Sequence, residues 1–574
     1  MECQRLMAII RGETPADLVL RNGKIVNVFS GEIYQADIAV ADGKIVSVGC
    51  AIEAEETVDL AGQVLCPGFH DAHVHIESSM VTIPEFARTV VPRGTTTVVI
   101  DPHEIANVMG LDGIKYMLQS SKYQPLNVYV MLSSCVPATH LETSGSELRA
   151  LDLFPYAEQE WILGLGEMMN FPGVLACDPE TIDKLKLFAG KKIDGHAPGL
   201  TGAELCGYVA MGIESDHECT SVEEAREKLR LGMTIMIREG GTAKNLEALL
   251  PLVGPETLSR CCLCTDDRNP PNLLGEGHID FVIRKAISLG LDPISAVTMA
   301  TINPARYFGL KKTGAIAPGY DADLVVVEDL KSFKVSRVYK NGSLVGEDGE
   351  AVYELPRQGR RQLIRSSVNI QWLSPASFQI PARGPRCRVI EMIPEQIVTG
   401  EVILEPRIED GLVVADPARD LLKIAVVERH HASENLGLGL VTGFGLARGA
   451  LASSVAHDSH NIIVIGANDE DMLEAVIKIR KMGGGFTAVS DGELLAQVPL
   501  PIAGLMSDRP MEELKDEVDH ITEIARGMGV SNPEPFMALS FMALPVIPKL
   551  KITDRGLVDV DRFDFVDLFV EEKE

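Results

Sequence analysis

Gly68–Ser78 reads GFHDAHVHIES and places three histidines, an aspartate and a glutamate within eleven residues, in a chain that holds only 13 histidines. Adjacent residues of a strand face opposite sides, so the one-residue gap in His73-Val74-His75 lets both imidazoles aim at one point. The stretch closes the apolar run VLCPGF, and seven more short apolar runs follow: TTTVVI, LNVYVML, WILGLG, KKIDG, GIESD, GMTIMI and CCLC. Most are separated by helix-compatible segments. Strands alternating with helices in this order predict a (β/α)8 barrel over residues 65–309.

In that fold the chemistry gathers at the C-terminal ends of the strands, and the rare residues fall there. His73 and His75 close the first strand and His103 follows the second. Glu167 ends the fourth, His196 the fifth, His217 the sixth and Asp266 the eighth. A lone histidine at a strand end is ordinarily a core residue. Five histidines and two carboxylates on one rim instead define a metal site, whose imidazole and carboxylate donors suit Zn, Mn or Fe better than a soft thiolate set does. His70 and His140 are expected to support the ligands from behind or to lie at the surface, Asp71 to orient a ligand or make a strand-end turn, and Asp267 to point away from Asp266.

Outward from the barrel, residues 1–64 alternate apolar and polar positions between NGK, SGE and DGK turns. The same texture returns in Gly314–Val345, so 1–64 and 310–380 are expected to form one split β domain. After Pro381–Cys387 the composition shifts to β runs and Gly-rich turns, which predicts an extra C-terminal α/β domain over 385–574. Its segment ENLGLGLVTGFGLARGA reads as a helix-forming or loop segment closely approached by other backbone, and it lacks the phosphate-loop pattern. His430, His431, His457, Asp458 and His460 form a second histidine concentration there. Core or surface packing explains them most simply, and an auxiliary metal or active-site role is the alternative. The order of elements does not say whether this domain caps its own barrel or a neighbour's.

The chain has 574 residues, 53 basic and 82 acidic, for a formal net charge of −29. That balance disfavours nucleic acid and anionic membranes and suits a small neutral or cationic substrate. Eleven cysteines without framework spacing read as reduced thiols. No signal-peptide pattern opens the chain and no apolar run is of membrane-spanning length, so a cytoplasmic location is expected.

GFHDAHVH resembles the first-strand signature of the amidohydrolase superfamily, and GAIAPGYDADLVVV resembles the return into its split β domain. Within the superfamily the chain resembles the bacterial-type adenine deaminases. That likeness is carried by HVHIESSM, VPRGTTTVVIDPHE, GLGEMMN, DGHAPGL, MIREGGTAKN, CTDD, ERHHASENLGLGLVTGFGLARGA and SVAHDSHN, and so covers nearly the whole chain. The resemblance implies two divalent ions per chain, Mn or Fe favoured and Zn also suited. His73, His75 and Asp266 would hold one, His196 and His217 the other, and Glu167 would bridge them where many relatives carry a carbamylated lysine. No lysine stands at a strand end here, and Lys184 is the nearest rival.

The implied reaction is hydrolytic deamination of adenine to hypoxanthine and ammonia, part of purine salvage, with a metal-bridged hydroxide attacking C6. Asp266 and His103 are expected to carry protons, and Glu77, Arg238 and Glu239 to contact the purine edge. The expected partner is the small purine base, and the expected assembly a homo-oligomer such as a dimer. A relative acting on a cyclic amide, a cyclic imide or another aminopurine is the alternative. A cytidine-type zinc site built from His75-Ile76-Glu77 and Cys261–Cys264 fails on spacing, and a catalytically dead scaffold is disfavoured because every ligand is present.

Overall fold

A computed structural model describes residues 2–354, 367–394 and 396–570. The stretch 355–366, inside the segment expected to complete the split β domain, lies outside the described residues, as do the last four positions of the C-terminal segment. Eight parallel strands follow one another in chain order: β1 (Phe69–Val74), β2 (Thr95–Ile100), β3 (Asn127–Leu132), β4 (Ile162–Met168), β5 (Lys192–Gly195), β6 (Ser215–Asp216), β7 (Thr234–Arg238) and β8 (Cys261–Cys264). β1 to β5 form one hydrogen-bonded arc and β6 to β8 another. The arcs meet where Val74 bridges Asp266, and where β5 packs beside β6. The result is the (β/α)8 barrel. β2, β7 and β8 are buried along their whole length, the pattern of a parallel sheet covered on both faces.

The first barrel strand differs from its expected position. Val64–Pro67 pairs antiparallel with Leu324–Val327 in a nine-stranded sheet that also holds Ala16–Asn27 and Glu32–Ala41. The barrel strand is FHDAHV itself. Both runs are apolar enough to be buried strands, and only pairing with a distant partner assigns each to its sheet.

The C-terminal segment builds an eight-stranded sheet whose inner strands include Leu422–Val427 and Leu436–Thr442. Of the segment read as helix or loop, Leu436–Thr442 is therefore a strand while 443–449 is loop, and the expected close approach of backbone is found on the strand. A Cβ on Gly437 would lie 1.9 Å from the Thr553 carbonyl oxygen, so only glycine lets the Leu550–Asp559 hairpin cross there. The helix Asp469–Met482 covers this sheet with Ala475, Val476 and Ile479; it is capped by Asn468 at one end and by left-handed Gly483 at the other.

This part of the chain sits on the C-terminal rim of its own barrel. His431 Nε2 lies 3.0 Å from the Ser144 carbonyl, Asn461 donates to the Thr143 carbonyl at 2.8 Å, and Thr553 Oγ1 donates to the Leu141 carbonyl at 2.7 Å. Met537, Phe541, Leu544 and Ile547 pack with Cys135, Ala138 and Met169 of the barrel loops. Among the described residues no helix is long and apolar enough to cross a membrane.

Candidate metal centre

The strand ends place their donors around Glu167, the penultimate residue of β4. Its Oε1 lies 3.3 Å from His75 Nε2 and 3.2 Å from His103 Nδ1, and its Oε2 lies 2.6 Å from His196 Nδ1 and 3.2 Å from His217 Nε2. The two oxygens therefore face two different sets of imidazoles. Asp266 Oδ1 is 3.4 Å from His73 Nε2 and 3.5 Å from His75 Nε2. All these side chains are buried.

The donor set fits divalent cations. His73 Nε2 and His75 Nε2 approach to 3.1 Å, and His75 Nδ1 is 2.9 Å from the Asp101 carbonyl, which fixes its proton on Nδ1 and leaves the Nε2 lone pair facing inward. His103 Nδ1 and His217 Nε2 are buried without a hydrogen-bond partner, both aimed at Glu167. Nitrogens so placed are explained by a cation between them. Burial works against ionisation of Glu167, but the imidazoles, His196 first, outweigh it and hold the carboxyl well below its ordinary range. Asp266 is held low in the same way against burial, chiefly by Arg238. Both are thus carboxylates, the form that ligates.

The supports are also buried. Asp101 Oδ2 accepts the Glu167 N–H at 3.0 Å, and the missing side chain of Gly166 makes room for it, since a Cβ there would lie 2.0 Å from that oxygen. Asp71 accepts the backbone N–H groups of His73 and Thr265 and lies 3.1 Å from His278 Nε2. His70 Nε2 lies 3.2 Å from Thr313 Oγ1 in the core, and His140 is exposed.

Lys228, fully buried, donates to the Ala197 carbonyl at 2.7 Å, to Asp216 at 3.0 Å and to Glu224 at 2.7 Å. It thereby fixes the residues that follow His196 and precede His217. Lys228→Met is expected to leave Asp216 buried and unpaired and to destabilise the fold by about 3–5 kcal/mol. Urea unfolding measures this, and a midpoint equal to wild type contradicts it.

Several expected placements need correction. Asp267 shares the cavity of Asp266, with its Oδ1 2.5 Å from Ser78 Oγ. The strand ends at Cys264 and Asp266 has φ 60°, so strand alternation no longer applies there. Arg238 lines the cavity, but its guanidinium is taken up by Asp266 Oδ2 at 2.9 Å and by Glu218. The second oxygen of Asp266 is consequently not free. Glu239 points to the other side of β7, onto Lys285 at 2.5 Å, and Glu77 lies behind the wall with Oε1 on the Ile105 N–H; neither borders the cavity. Lys184 is on the helix Pro179–Leu187 and donates to the Ser134 carbonyl at 2.7 Å.

The second histidine concentration divides. His457 and Asp458 border the same cavity as Glu167. His430 Nε2 rests on the Ser459 carbonyl at 2.7 Å, His431 on the barrel loop, and His460 Nδ1 accepts the Ala456 N–H at 3.2 Å. Glu104 and Glu218, which sequence reasoning did not single out, also border the cavity. Each directly follows a histidine already identified, His103 or His217, and that adjacency was the available signal.

Residues 64–345 match the amidohydrolase family, a class of metal-dependent hydrolases with a binuclear centre, and residues 396–564 match the adenine deaminase C-terminal domain. The chain is 51% identical to an adenine deaminase of Desulfatibacillum aliphaticivorans over 98% of its own length and 99% of that protein's. It is 49% identical to one of Methanothrix thermoacetophila over 100% of both. A solved adenine deaminase structure aligns with a TM-score of 0.45 at 18% identity, covering 58% of this chain and 100% of that one. The chain belongs to the adenine deaminase family of amidohydrolases.

Proposed function

We propose that this chain hydrolyses adenine to hypoxanthine and ammonia at a site holding two divalent ions, for which its imidazole and carboxylate donors suit Mn, Fe or Zn. The observation that carries the reading is Glu167, whose two oxygens face separate sets of imidazoles within a family of adenine deaminases. In this reading His73, His75 and Asp266 would hold one ion and His196 and His217 the other, with Glu167 placed between the two sets. Ions bound there supply Lewis acidity and a water acidic enough to act as nucleophile near neutral pH.

The chain's own residues do the rest. Arg238 anchors Asp266 through Oδ2, so that Oδ1 stays turned toward His73 and His75. Deaminating an aminopurine requires a proton on the ring and another on the departing nitrogen. His103, with Nδ1 facing Glu167 and Nε2 facing Asp458, is placed to move one of them, and Asp266, its Oδ2 held by Arg238, takes up a proton at Oδ1. The buried wall keeps bulk water from competing. The free cysteines suit a reducing compartment such as the cytoplasm.

Ammonia release screened over adenine, adenosine, cytosine and cyclic amides tests the reading. Adenine is expected to be the substrate, with activity abolished by chelation and restored by Mn or Fe. A cyclic amide consumed in preference to adenine contradicts it.

A further inference from the structure

We propose that the C-terminal domain forms part of the substrate pocket of its own barrel, and that His457 and Asp458 are purine-binding residues within it. The inference rests on the adenine reading above and adds the groups that hold the base.

Asp458 Oδ1 lies 3.6 Å from His103 Nε2, on the far side of that ring from the nitrogen that faces Glu167. His457 Nδ1 lies 3.3 Å from Glu104 Oε1 and 3.6 Å from Asp458 Oδ1, so Nδ1 carries a proton. Burial works against a positive charge on this ring, but Glu104 and Asp458 outweigh it and hold the imidazole up to about 9, which puts a proton on Nε2 as well. The ring stacks on Phe541 with centroids 4.7 Å apart and planes 11° from parallel, and this fixes the direction of Nε2.

Two polar atoms of this pair, His457 Nε2 and Asp458 Oδ2, are buried and have no hydrogen-bond partner. Leaving such groups unmade costs about 1–3 kcal/mol each. One is a donor and the other an acceptor, on consecutive residues that border the cavity of Glu167 and Asp266. That is the complement of a flat heteroaromatic edge carrying a ring nitrogen beside an N–H, as the N1/N6, N7/N6 and N3/N9 edges of adenine do.

A third cation is the competing occupant, since Glu104, His457 and His460 bring their donor atoms within 4.8 Å of one another. The hydrogen bonds oppose it. His460 Nδ1 accepts the Ala456 N–H, so its proton is on Nε2 and it has no lone pair left to give.

The cavity measures about 30 Å³, well below the roughly 300–1,000 Å³ of ordinary ligand pockets. Its barrel side is fixed by the strand ends. The space a base needs is therefore taken from the apolar side, where Ile397, Leu544 and Ile547 border the cavity. Ile397 also borders an adjoining cleft of about 360 Å³, which provides the way in.

The test uses the metal-loaded full chain and two variants, His457→Ala and the near-isosteric Asp458→Asn. Each is expected to lower kcat/KM for adenine about 10- to 100-fold, mainly through KM. Each is also expected to raise the inhibition constant of unsubstituted purine in parallel, with two ions per chain and the melting temperature retained. An unchanged inhibition constant and kcat/KM overturn the proposal, as does loss of a bound ion that accounts for the defect. If His457→Ala fails to fold, Asp458→Asn decides. A wild-type enzyme that releases no ammonia from adenine would refute the underlying reading, whereas an active wild type with unaffected variants refutes only this inference.

Discussion

Glu167→Gln is expected to lose at least one of the two ions and to lower kcat by about 10³-fold or more. Gln keeps the shape of the side chain but replaces one oxygen with an amide N–H₂. That group must face either His75 and His103 or His196 and His217. On the first side the new donor is set against His75 Nε2, whose lone pair points inward, and on the second it replaces the oxygen that meets His196 Nδ1 at 2.6 Å. A bound ion is worth several kcal/mol of transition-state stabilisation, and each 1.36 kcal/mol is a tenfold change in rate. Metal analysis of the purified variant alongside its turnover checks this. Two ions per chain with near wild-type kcat would show that Glu167 is a supporting acid and not the bridge.

Asp266→Asn is the second large effect. With the amide oxygen toward His73 and His75, the amide nitrogen meets the Arg238 guanidinium, donor against donor; turned round, the nitrogen meets the ligand site. One contact fails in either orientation, and the proton acceptor is lost in both. A fall in kcat of about 10² to 10⁴ is expected, the usual worth of a positioned acid-base group, together with weaker metal retention. Asp267→Asn keeps a hydrogen-bonding oxygen for Ser78 and should lose less. Steady-state kinetics of both variants decide the matter: greater damage in Asp267→Asn would move the proton-carrying role to that residue.

The barrel was legible because its strands are short apolar runs at regular intervals, and because the rarest polar residues stand at their ends. The spacing of His73 and His75 and the position of Glu167 behind ILGLG carry that information locally. The position of Val64–Pro67 was not legible, since its sheet is fixed by Leu324–Val327 far downstream. Asp267 was misplaced because the left-handed turn at Asp266 leaves no mark in a run of two aspartates. Glu239 was misplaced because its partner, Lys285, comes from a later helix. The apolar wall of Phe541, Leu544 and Ile547 reads as ordinary core, and only the docking of the C-terminal domain on its own barrel turns it toward the site.

The central claim is that two ions, held by one glutamate between two sets of histidines, support the deamination of adenine. The most direct test is a titration of metal-free protein with Mn or Fe, following bound metal and ammonia release from adenine in the same samples. Activity that rises until two ions are bound per chain, and not beyond, is the predicted result. Full activity at one ion per chain, or two bound ions with no ammonia released, would contradict it.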